Sequence, residues 1–199
     1  MKKYKIVEIF TSLQGEGGQA SVPATFIRLF GCNLKCTFCD EPLHTQAGQI
    51  VEYTAEELLE KCKTYLVVLT GGEPSVNDIT ELISILQNKG EHVVQVETNG
   101  YHYEHIKNAN ILTVAPKDEQ AITSPEKYTE CKLLVHDKMT DEEIDKMVNY
   151  WLVKDVGVYL QPINHMDKIN PENLAFAVNQ CIRLGIPLSP QLHKLLGVE

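Results

Sequence analysis

Short apolar runs alternate with amphipathic runs along most of this chain. The apolar runs occupy positions 24–30, 66–70, 93–97, 111–115, 131–135 and 157–161. Each has the length of a β-strand, and the nearly unbroken apolar run at 66–70 is typical of a strand buried on both faces of a parallel sheet. The pattern therefore predicts about six parallel strands.

The amphipathic runs between these strands predict helices, which cover 54–63, 78–87, 141–153 and 171–184, with a further short helix after 97. Thr54 followed by Glu57 has the spacing of a capping box. Strands that alternate with helices indicate βαβ units and an α/β fold. About six parallel strands fit a partial, incomplete TIM-like barrel better than a closed barrel of eight, and a doubly wound open sheet is the alternative.

The chain of 199 residues has the length of one domain. It contains no internal repeat, no low-complexity tract and no linker rich in Pro, Gly or Ser. We therefore expect a single domain over residues 1–199.

Composition and charge narrow the class of protein. A net charge of −9 argues against a general nucleic-acid binder, because such proteins need a basic surface. The N-terminus lacks the pattern of a signal peptide, and no apolar run approaches the roughly 20 residues that span a bilayer. We expect a soluble cytoplasmic protein that binds neither nucleic acid nor membrane.

Polar or glycine-rich segments follow the predicted strands, at 31–40, 71–74, 98–100, 116–117, 136–137 and 162–164. Both candidate architectures place their functional loops at the carboxyl ends of the strands. We therefore expect these segments to converge on one rim of the sheet.

The first of these loops holds three of the six cysteines with the spacing C-x3-C-x2-C, namely Cys32, Cys36 and Cys39. In a reducing cytosol such a group is more typical of metal binding or catalysis than of disulfides. A structural zinc site takes four ligands, with His44 as a candidate fourth. An iron-sulfur cubane with three protein ligands leaves one iron open to a small molecule, which favours iron-sulfur over zinc or incidental thiols. The scattered cysteines, expected to be buried as small hydrophobic residues, are Cys62, Cys131 and Cys181.

The cysteine loop, Gly-Gly-Glu-Pro at 71–74 and Thr-Asn-Gly at 98–100 each follow a predicted strand, and together they resemble the radical S-adenosylmethionine (SAM) superfamily. The resemblance implies a [4Fe-4S] cluster on Cys32, Cys36 and Cys39, with SAM on its unique iron. The glycines at 71 and 72 let the backbone approach a ligand closely, and Glu73 offers a counter-charge to the ammonium group of SAM.

Further segments resemble the 7-carboxy-7-deazaguanine synthase family, and they lie at 10–17, 26–32, 39–40, 97–100, 115–117, 161–163 and 191–197. The resemblance covers the whole chain. It implies a radical SAM carbon-nitrogen lyase that converts 6-carboxy-5,6,7,8-tetrahydropterin to 7-carboxy-7-deazaguanine and ammonia, for 7-deazapurines such as queuosine. In this family SAM is used catalytically, as the source of a 5′-deoxyadenosyl radical, and Mg2+ assists.

The resemblance also implies which residues bind each ligand. The substrate-binding residues are Leu13, Gln14, Gly15, Glu16, Arg28, Gly72, His193 and Lys194. The SAM-binding residues are Phe38, Gly72, Glu73, Ser75, Thr98, Asn99, Pro116, Lys117 and Gln161. Arg28 has the geometry for a bidentate pair with the substrate carboxylate, and Gln14 with Glu16 has the donors and acceptors to bind a pterin edge. Alternatively, Arg28 is an ordinary surface cation and Glu16 solvates a turn.

One position departs from the family pattern. The family commonly carries a hydroxyl residue after Cys-Asp, where it binds Mg2+, and this chain has Glu41 there. A carboxylate is also a suitable Mg2+ ligand, so we expect Glu41 to bind the ion, with Thr45 or solvent as the alternative. The resemblance further implies an electron donor such as flavodoxin or ferredoxin, and a homodimer.

Two other functions remain open from the sequence. A radical SAM activating enzyme that generates a glycyl radical on a partner protein would share the cysteine loop and the segment 71–74. A zinc-binding regulatory module would use the cysteines but not the SAM loop.

Overall fold

The structure is a computed structural model that describes residues 1–39, 50–117, 124–166 and 168–198. Its strands are β1 (Tyr4–Leu13), β2 (Pro23–Leu29), β3 (Val51–Tyr53), β4 (Leu66–Gly71), β5 (Val93–Thr98), β6 (Ile111–Val114), β7 (Glu130–Val135) and β8 (Gly157–Pro162). Its α-helices are α1 (Ala55–Leu59), α2 (Thr80–Asn88), α3 (Asp141–Leu152), α4 (Pro171–Leu184) and α5 (Leu192–Leu196).

All the described strands belong to one sheet in the order β3-β1-β2-β4-β5-β6-β7-β8. The six strands β2 and β4 to β8 are mutually parallel and follow chain order. A doubly wound sheet reverses its strand order, so that alternative is wrong. Because β3 and β8 lie at the two edges, the sheet is open, and the predicted partial barrel of about six parallel strands is confirmed.

Two antiparallel strands extend the sheet beyond the prediction. β1 pairs antiparallel with β2, and β3 pairs antiparallel with β1. The alternation of strands and helices predicts βαβ units, in which helices join parallel strands. It does not predict β1 and β3, because antiparallel neighbours need no helix between them. The short helix α5 near the C-terminus was also not predicted.

The observed helix ends follow from their capping residues. Thr54 and Glu57 form the predicted capping box of α1, although this helix ends at Leu59 rather than at 63. The Asn170 side chain accepts a hydrogen bond from Asn173 N at the start of α4, and Gly185, in the left-handed conformation, ends it, so the predicted bounds are confirmed. None of the described helices is both long and apolar enough to cross a membrane.

The two faces of the parallel sheet differ in chemistry. Outward-facing residues such as Leu69 and Val96 belong to the large apolar core that includes Leu82 and Leu86 of α2 and Trp151 of α3. A smaller apolar cluster on the inner face contains Ala24, Leu66 and Val68. The inner face of the later strands is instead polar, with buried side chains at Gln95, Thr113, Glu130, Lys132 and Gln161.

Candidate active site

A cavity of about 1380 Å³ lies at the carboxyl ends of the strands. Its volume exceeds the roughly 300–1,000 Å³ typical of a pocket for one small ligand. The predicted site residues that line it are Leu13, Gln14, Gly15, Glu16, Arg28, Cys32, Cys36, Phe38, Cys39, Gly72, Glu73, Thr98, Asn99, Lys117, Gln161, His193 and Lys194. One space therefore brings together nearly all of the side chains that the two ligand sets require.

The three clustered cysteines are free thiols that face this cavity. Burial raises the pKa of the Cys32 thiol, and the nearby Glu73, Cys36 and Cys39 act in the same direction, so these groups share one electrostatic environment. No group of three His, Cys, Asp or Glu side chains within the described ranges has the arrangement of a single-ion site. Three free thiols on one short loop fit the donor set of an iron-sulfur cluster, whose irons prefer thiolate ligands.

The remaining cysteines lie away from the cavity. Cys131 is buried in the outer core, and Cys62 and Cys181 pack against it. The expectation of buried small hydrophobic residues is therefore confirmed for Cys131, whereas Cys62 and Cys181 are only partly buried.

Glu73, Thr98 and Asn99, which we call the rim cluster, join the ends of β4 and β5. Glu73 is 1% exposed, and its carboxylate accepts hydrogen bonds from Thr98 Oγ1 at 2.7 Å and from Asn99 N at 2.5 Å. It also accepts one from Ser75 N at 2.9 Å. Asn99 Nδ2 donates to Asn33 Oδ1 at 2.8 Å, which ties the rim cluster to the cysteine loop.

Gly71 and Gly72 follow one another at the end of β4. Gly71 adopts φ +139°, and a Cβ there would collide with the carbonyl oxygen of Leu29. Its missing side chain therefore permits the close approach of β4 to β2. Gly71 and Gly72 both line the cavity, so the close approach of their backbone to a ligand stays a prediction.

Ser75 and Pro116 are the described SAM-site candidates that do not line the cavity. Ser75 is fully buried, its hydroxyl has no hydrogen-bond partner among the described residues, and its carbonyl accepts from the His105 ring at 2.7 Å. Pro116 precedes Lys117, whose ammonium lies 5.8 Å from the centre of the Phe38 ring. Their assignment to SAM binding stays a prediction.

Arg28 forms an ion pair across two strands. Its Nε donates to Glu8 Oε1 at 2.5 Å, and the two residues are directly paired in the β1–β2 register. The guanidinium also lies 5.8 Å from the centre of the Phe10 ring. These contacts hold Arg28 against the cavity wall, and Glu8 orients its guanidinium group.

A second group of charged residues lines the cavity, namely Glu16, Lys132 and Glu97, which we call the buried triad. The Lys132 ammonium is bonded to Glu16 Oε2, and it contacts Glu97 Oε2 at 2.6 Å. Amide side chains complete the shell: Gln191 Nε2 donates to Glu16 at 2.8 Å, and Gln14 Nε2 donates to Glu97 at 3.2 Å. A buried lysine needs such partners because an isolated buried charge is strongly unfavourable.

The two carboxyl groups of the buried triad differ in acidity. Burial alone would raise the pKa of Glu16, but Lys132 and the hydrogen bond from Gln191 lower it to about 2. Burial raises the pKa of Glu97 to about 7, opposed by Lys132 and reinforced by Glu16. Burial alone would lower the pKa of Lys132, but the two carboxylates raise it well above its usual range.

The C-terminal segment crosses to the loop after β1. Leu192 N donates to Gly15 O at 2.9 Å. Ser189 Oγ accepts a hydrogen bond from Gly17 N at 3.1 Å and donates one to Gln161 Oε1 at 3.0 Å. A Cβ at Gly15 would collide with the His193 ring, so this glycine admits the tail. His193 and Lys194 reach the cavity in this way.

Several cavity residues were not predicted as site residues, namely Glu8, Glu97, Lys132, Asn164 and Gln191. A signal for two of them is present in the sequence, since Glu97 and Lys132 alternate with apolar residues inside strands whose other face is buried. Glu41, together with the alternative ligands His44 and Thr45, lies outside the described residues.

Comparison with known proteins identifies the family. The sequence profile described as the radical SAM superfamily matches residues 26–116. A 7-carboxy-7-deazaguanine synthase from Bacteroides thetaiotaomicron is 48% identical over 98% of this chain and 98% of its own length. The chain belongs to the 7-carboxy-7-deazaguanine synthase family. The synthase from Rickettsia prowazekii (strain Madrid E) is 34% identical, over 99% of this chain and 89% of its own.

Solved structures agree with this 7-carboxy-7-deazaguanine synthase assignment. QueE from Escherichia coli has a TM-score of 0.73 and 27% identity, covering 94% of this chain and 92% of its own. Streptococcus suis SuiB bound to S-adenosylmethionine shares the fold, with a TM-score of 0.50 and 14% identity. The match covers 82% of this chain and 45% of the SuiB chain. This synthase-family chain is thus a radical SAM enzyme, and its family uses a [4Fe-4S] cluster and SAM. The comparisons do not favour a glycyl-radical activating enzyme, and a zinc-binding regulatory module is set aside.

Proposed function

We propose that this chain converts 6-carboxy-5,6,7,8-tetrahydropterin to 7-carboxy-7-deazaguanine with release of ammonia, in 7-deazapurine biosynthesis of the queuosine type. The observation that carries the proposal is the shared cavity, in which the cysteine loop faces Gln14, Glu16 and Arg28. A glycyl-radical activating enzyme would need the cysteine loop but not these three side chains.

The residues at the rim of the cavity suit the two cofactors. Cys32, Cys36 and Cys39 would hold the [4Fe-4S] cluster, and SAM would bind beside Glu73, Thr98, Asn99, Phe38, Lys117 and Gln161. When bound, the cluster and SAM together supply a 5′-deoxyadenosyl radical. The hydrogen bonds within the rim cluster keep its polar groups fixed before any ligand arrives, which lowers the entropic cost of binding.

The substrate side of the cavity matches a pterin carboxylate. Arg28 would pair with the carboxylate while Glu8 orients its guanidinium group. Glu16 is held as an anion, so it accepts hydrogen bonds from the amino and ring N–H groups of the pterin. Gln14 would bind the same edge, and His193 with Lys194 on the tail would close the space over the substrate and exclude water.

We also propose Mg2+ as a cofactor, with Glu41 as its ligand, because carboxylate oxygens suit this ion. Replacing Glu41 with Gln is expected to weaken the Mg2+ dependence of turnover. An unchanged Mg2+ titration would remove Glu41 from the site.

The remaining proposals concern organisation. Residues 1–199 would act as a single domain, in a cytoplasmic homodimer that receives electrons from a flavodoxin or ferredoxin. The strongly acidic chain, with a net charge of −9, would bind neither nucleic acid nor membrane. Analytical ultracentrifugation of the reconstituted protein measures the subunit count directly.

The decisive experiment is an anaerobic reaction. Protein with a reconstituted and reduced cluster is incubated with SAM and 6-carboxytetrahydropterin, and the products are separated by mass. We expect one deazapurine carboxylate and one ammonia per substrate consumed. Cleavage of SAM without the deazapurine would overturn the synthase proposal and support an activating enzyme.

A further inference from the structure

We propose that Lys132 is a positioning residue that divides charge between two carboxyl groups of the substrate cavity: it keeps Glu16 ionised and leaves Glu97 as the group that takes up and releases a proton. The inference deepens the proposed function and rests on it. It concerns a residue that contributes no cofactor ligand and belongs to none of the sequence motifs.

The geometry supports this role because one cation serves two acids. Lys132 lies within β7, its side chain is 5% exposed, and its ammonium group contacts Glu16 and Glu97. Glu16 comes from the loop after β1, and Glu97 comes from β5. The three side chains have no common segment, so their contact depends on Lys132 reaching between them.

The surroundings of the two acids are unequal. Glu16 Oε1 accepts from Gln191 at 2.8 Å, and Gln191 is itself fixed by Asn164 Nδ2 at 2.7 Å. Glu97 Oε1 accepts only longer bonds from neutral amides, from Gln14 at 3.2 Å and Gln95 at 3.1 Å. Glu16 therefore has the better-stabilised negative charge.

The charges around Glu97 also favour a proton there. Among the residues that the structure describes, the ionisable groups that act most strongly on Glu97 are Lys132 and Glu130 from β7 and Glu16 from the β1 loop, with His193 of the tail acting on Glu16. One ammonium thus faces three carboxyl groups in a buried space. Protonating Glu97 relieves this excess of negative charge, in agreement with its raised pKa.

The proposed reaction needs a group of this kind. When the carbon-nitrogen bond breaks, its electron pair leaves with nitrogen, which gains a proton as ammonia departs. A ring carbon loses a proton as the new double bond forms, so the net proton count is zero. A carboxyl group that titrates near neutral pH can accept the one proton and supply the other, and no oxidant or reductant is required.

Three variants and a control test the role of Lys132. K132M removes the charge, K132R keeps it, and E97Q removes the titrating acid. K107M is the matched control, because Lys107 pairs with a single carboxylate, Glu104, on the exposed surface. Product formation is measured from about pH 5.5 to 9, together with substrate affinity and the SAM cleaved per product.

For the wild type and K107M we expect a limb in the profile of kcat/KM with an apparent pKa near 7. K132M is expected to move this limb upward by about one unit or more and to lower kcat/KM at pH 7 about tenfold, because Lys132 lowers the pKa of Glu97. K132R should restore the limb, and E97Q should abolish it. A K132M profile that is lower at every pH with an unmoved limb would reduce Lys132 to a packing role.

A second measurement does not depend on turnover. Carbon-13 labelling of glutamate carboxyl groups in the cluster-free protein, with the Glu97 signal assigned by its absence in E97Q, follows the titration of Glu97 by NMR. We expect a midpoint near 7 in the wild type and a higher one in K132M. An ordinary midpoint near 4.5 in the wild type would overturn the inference, whereas a wild type that titrates as expected but makes no deazapurine would overturn only the proposed function. If K132M does not fold, the wild-type and E97Q titrations and the K132R profile still decide the question.

Discussion

The rim cluster and the buried triad solve the same problem, a buried carboxylate in the cavity wall, by different means. In the rim cluster, Glu73 accepts three hydrogen bonds from neutral donors that lie within the next 26 residues of the chain. In the buried triad, Glu16 and Glu97 share one ammonium group, and Lys132 lies 116 residues from Glu16.

The two arrangements have different consequences. The rim cluster has a fixed geometry, and the buried triad can exchange a proton. Neutral donors satisfy the oxygens of Glu73, so the hydrogen bonds of the rim cluster hold its polar groups in a fixed geometry. A single cation between two acids leaves one negative charge in excess, so the buried triad is built to exchange a proton. Four predictions test this contrast, beginning with the largest expected effect.

Loss of one of the three cysteine thiols that would hold the iron-sulfur cluster should abolish activity. Cys32→Ser is expected to abolish bound iron-sulfur absorbance and to reduce product formation by about 10⁴-fold or more, since the radical chemistry has no alternative source. Cys62→Ser is the matched control, because Cys62 packs against the outer core, away from the cavity. Iron content and turnover are measured on both, and a C32S protein with normal iron would contradict the site.

The rim cluster should also be important for stability. Glu73→Ala leaves two backbone amides and the Thr98 hydroxyl without their acceptor in a buried region, at a cost on the order of 3–5 kcal/mol in the free energy of unfolding. Urea unfolding of the cluster-free protein measures it. Glu73→Gln keeps one acceptor oxygen and should lose less, whereas equal losses would show that charge rather than acceptor geometry matters.

The buried triad should make stability depend on pH. The pKa of Glu97 is raised to about 7, so the folded protein retains a proton that the unfolded chain releases near 4.5. The contribution of Glu97 is therefore fully present below about pH 4.5 and is lost as pH rises to 7, by roughly 1–3 kcal/mol. Urea unfolding at several pH values should show this slope in the wild type and not in E97Q, while the exposed control E104Q retains it.

The contact between the tail and the β1 loop should have the smallest effect. Gly15→Ala places a methyl group against the His193 ring and is expected to raise KM for the pterin by about 3–10-fold, with iron content unchanged. Gly157→Ala is the control, because the nearest atom to its added methyl group would be Thr129 O at 3.6 Å. An unchanged KM in G15A would show that the tail moves aside at little cost.

The sequence determined the features that depend on neighbours along the chain. The six parallel strands, the capping box at Thr54 and the cysteine loop were all predicted, because strand periodicity, helix capping and ligand spacing act over a few residues. The convergence of the strand-end loops was also predicted, since parallel strands place their carboxyl ends at one edge.

Only the tertiary structure decided which polar residues meet. Alternation in β5 and β7 indicates which face of the sheet Glu97 and Lys132 occupy, but it does not show that the two side chains touch. The partner of an inward side chain depends on strand order and register. The same holds for Arg28 with Glu8, and for Gly71, whose missing side chain permits close contact with the backbone of Leu29. Interactions between neighbours in sequence thus determined the strand-end loops of this enzyme, and packing between distant strands determined the contacts among its buried polar residues.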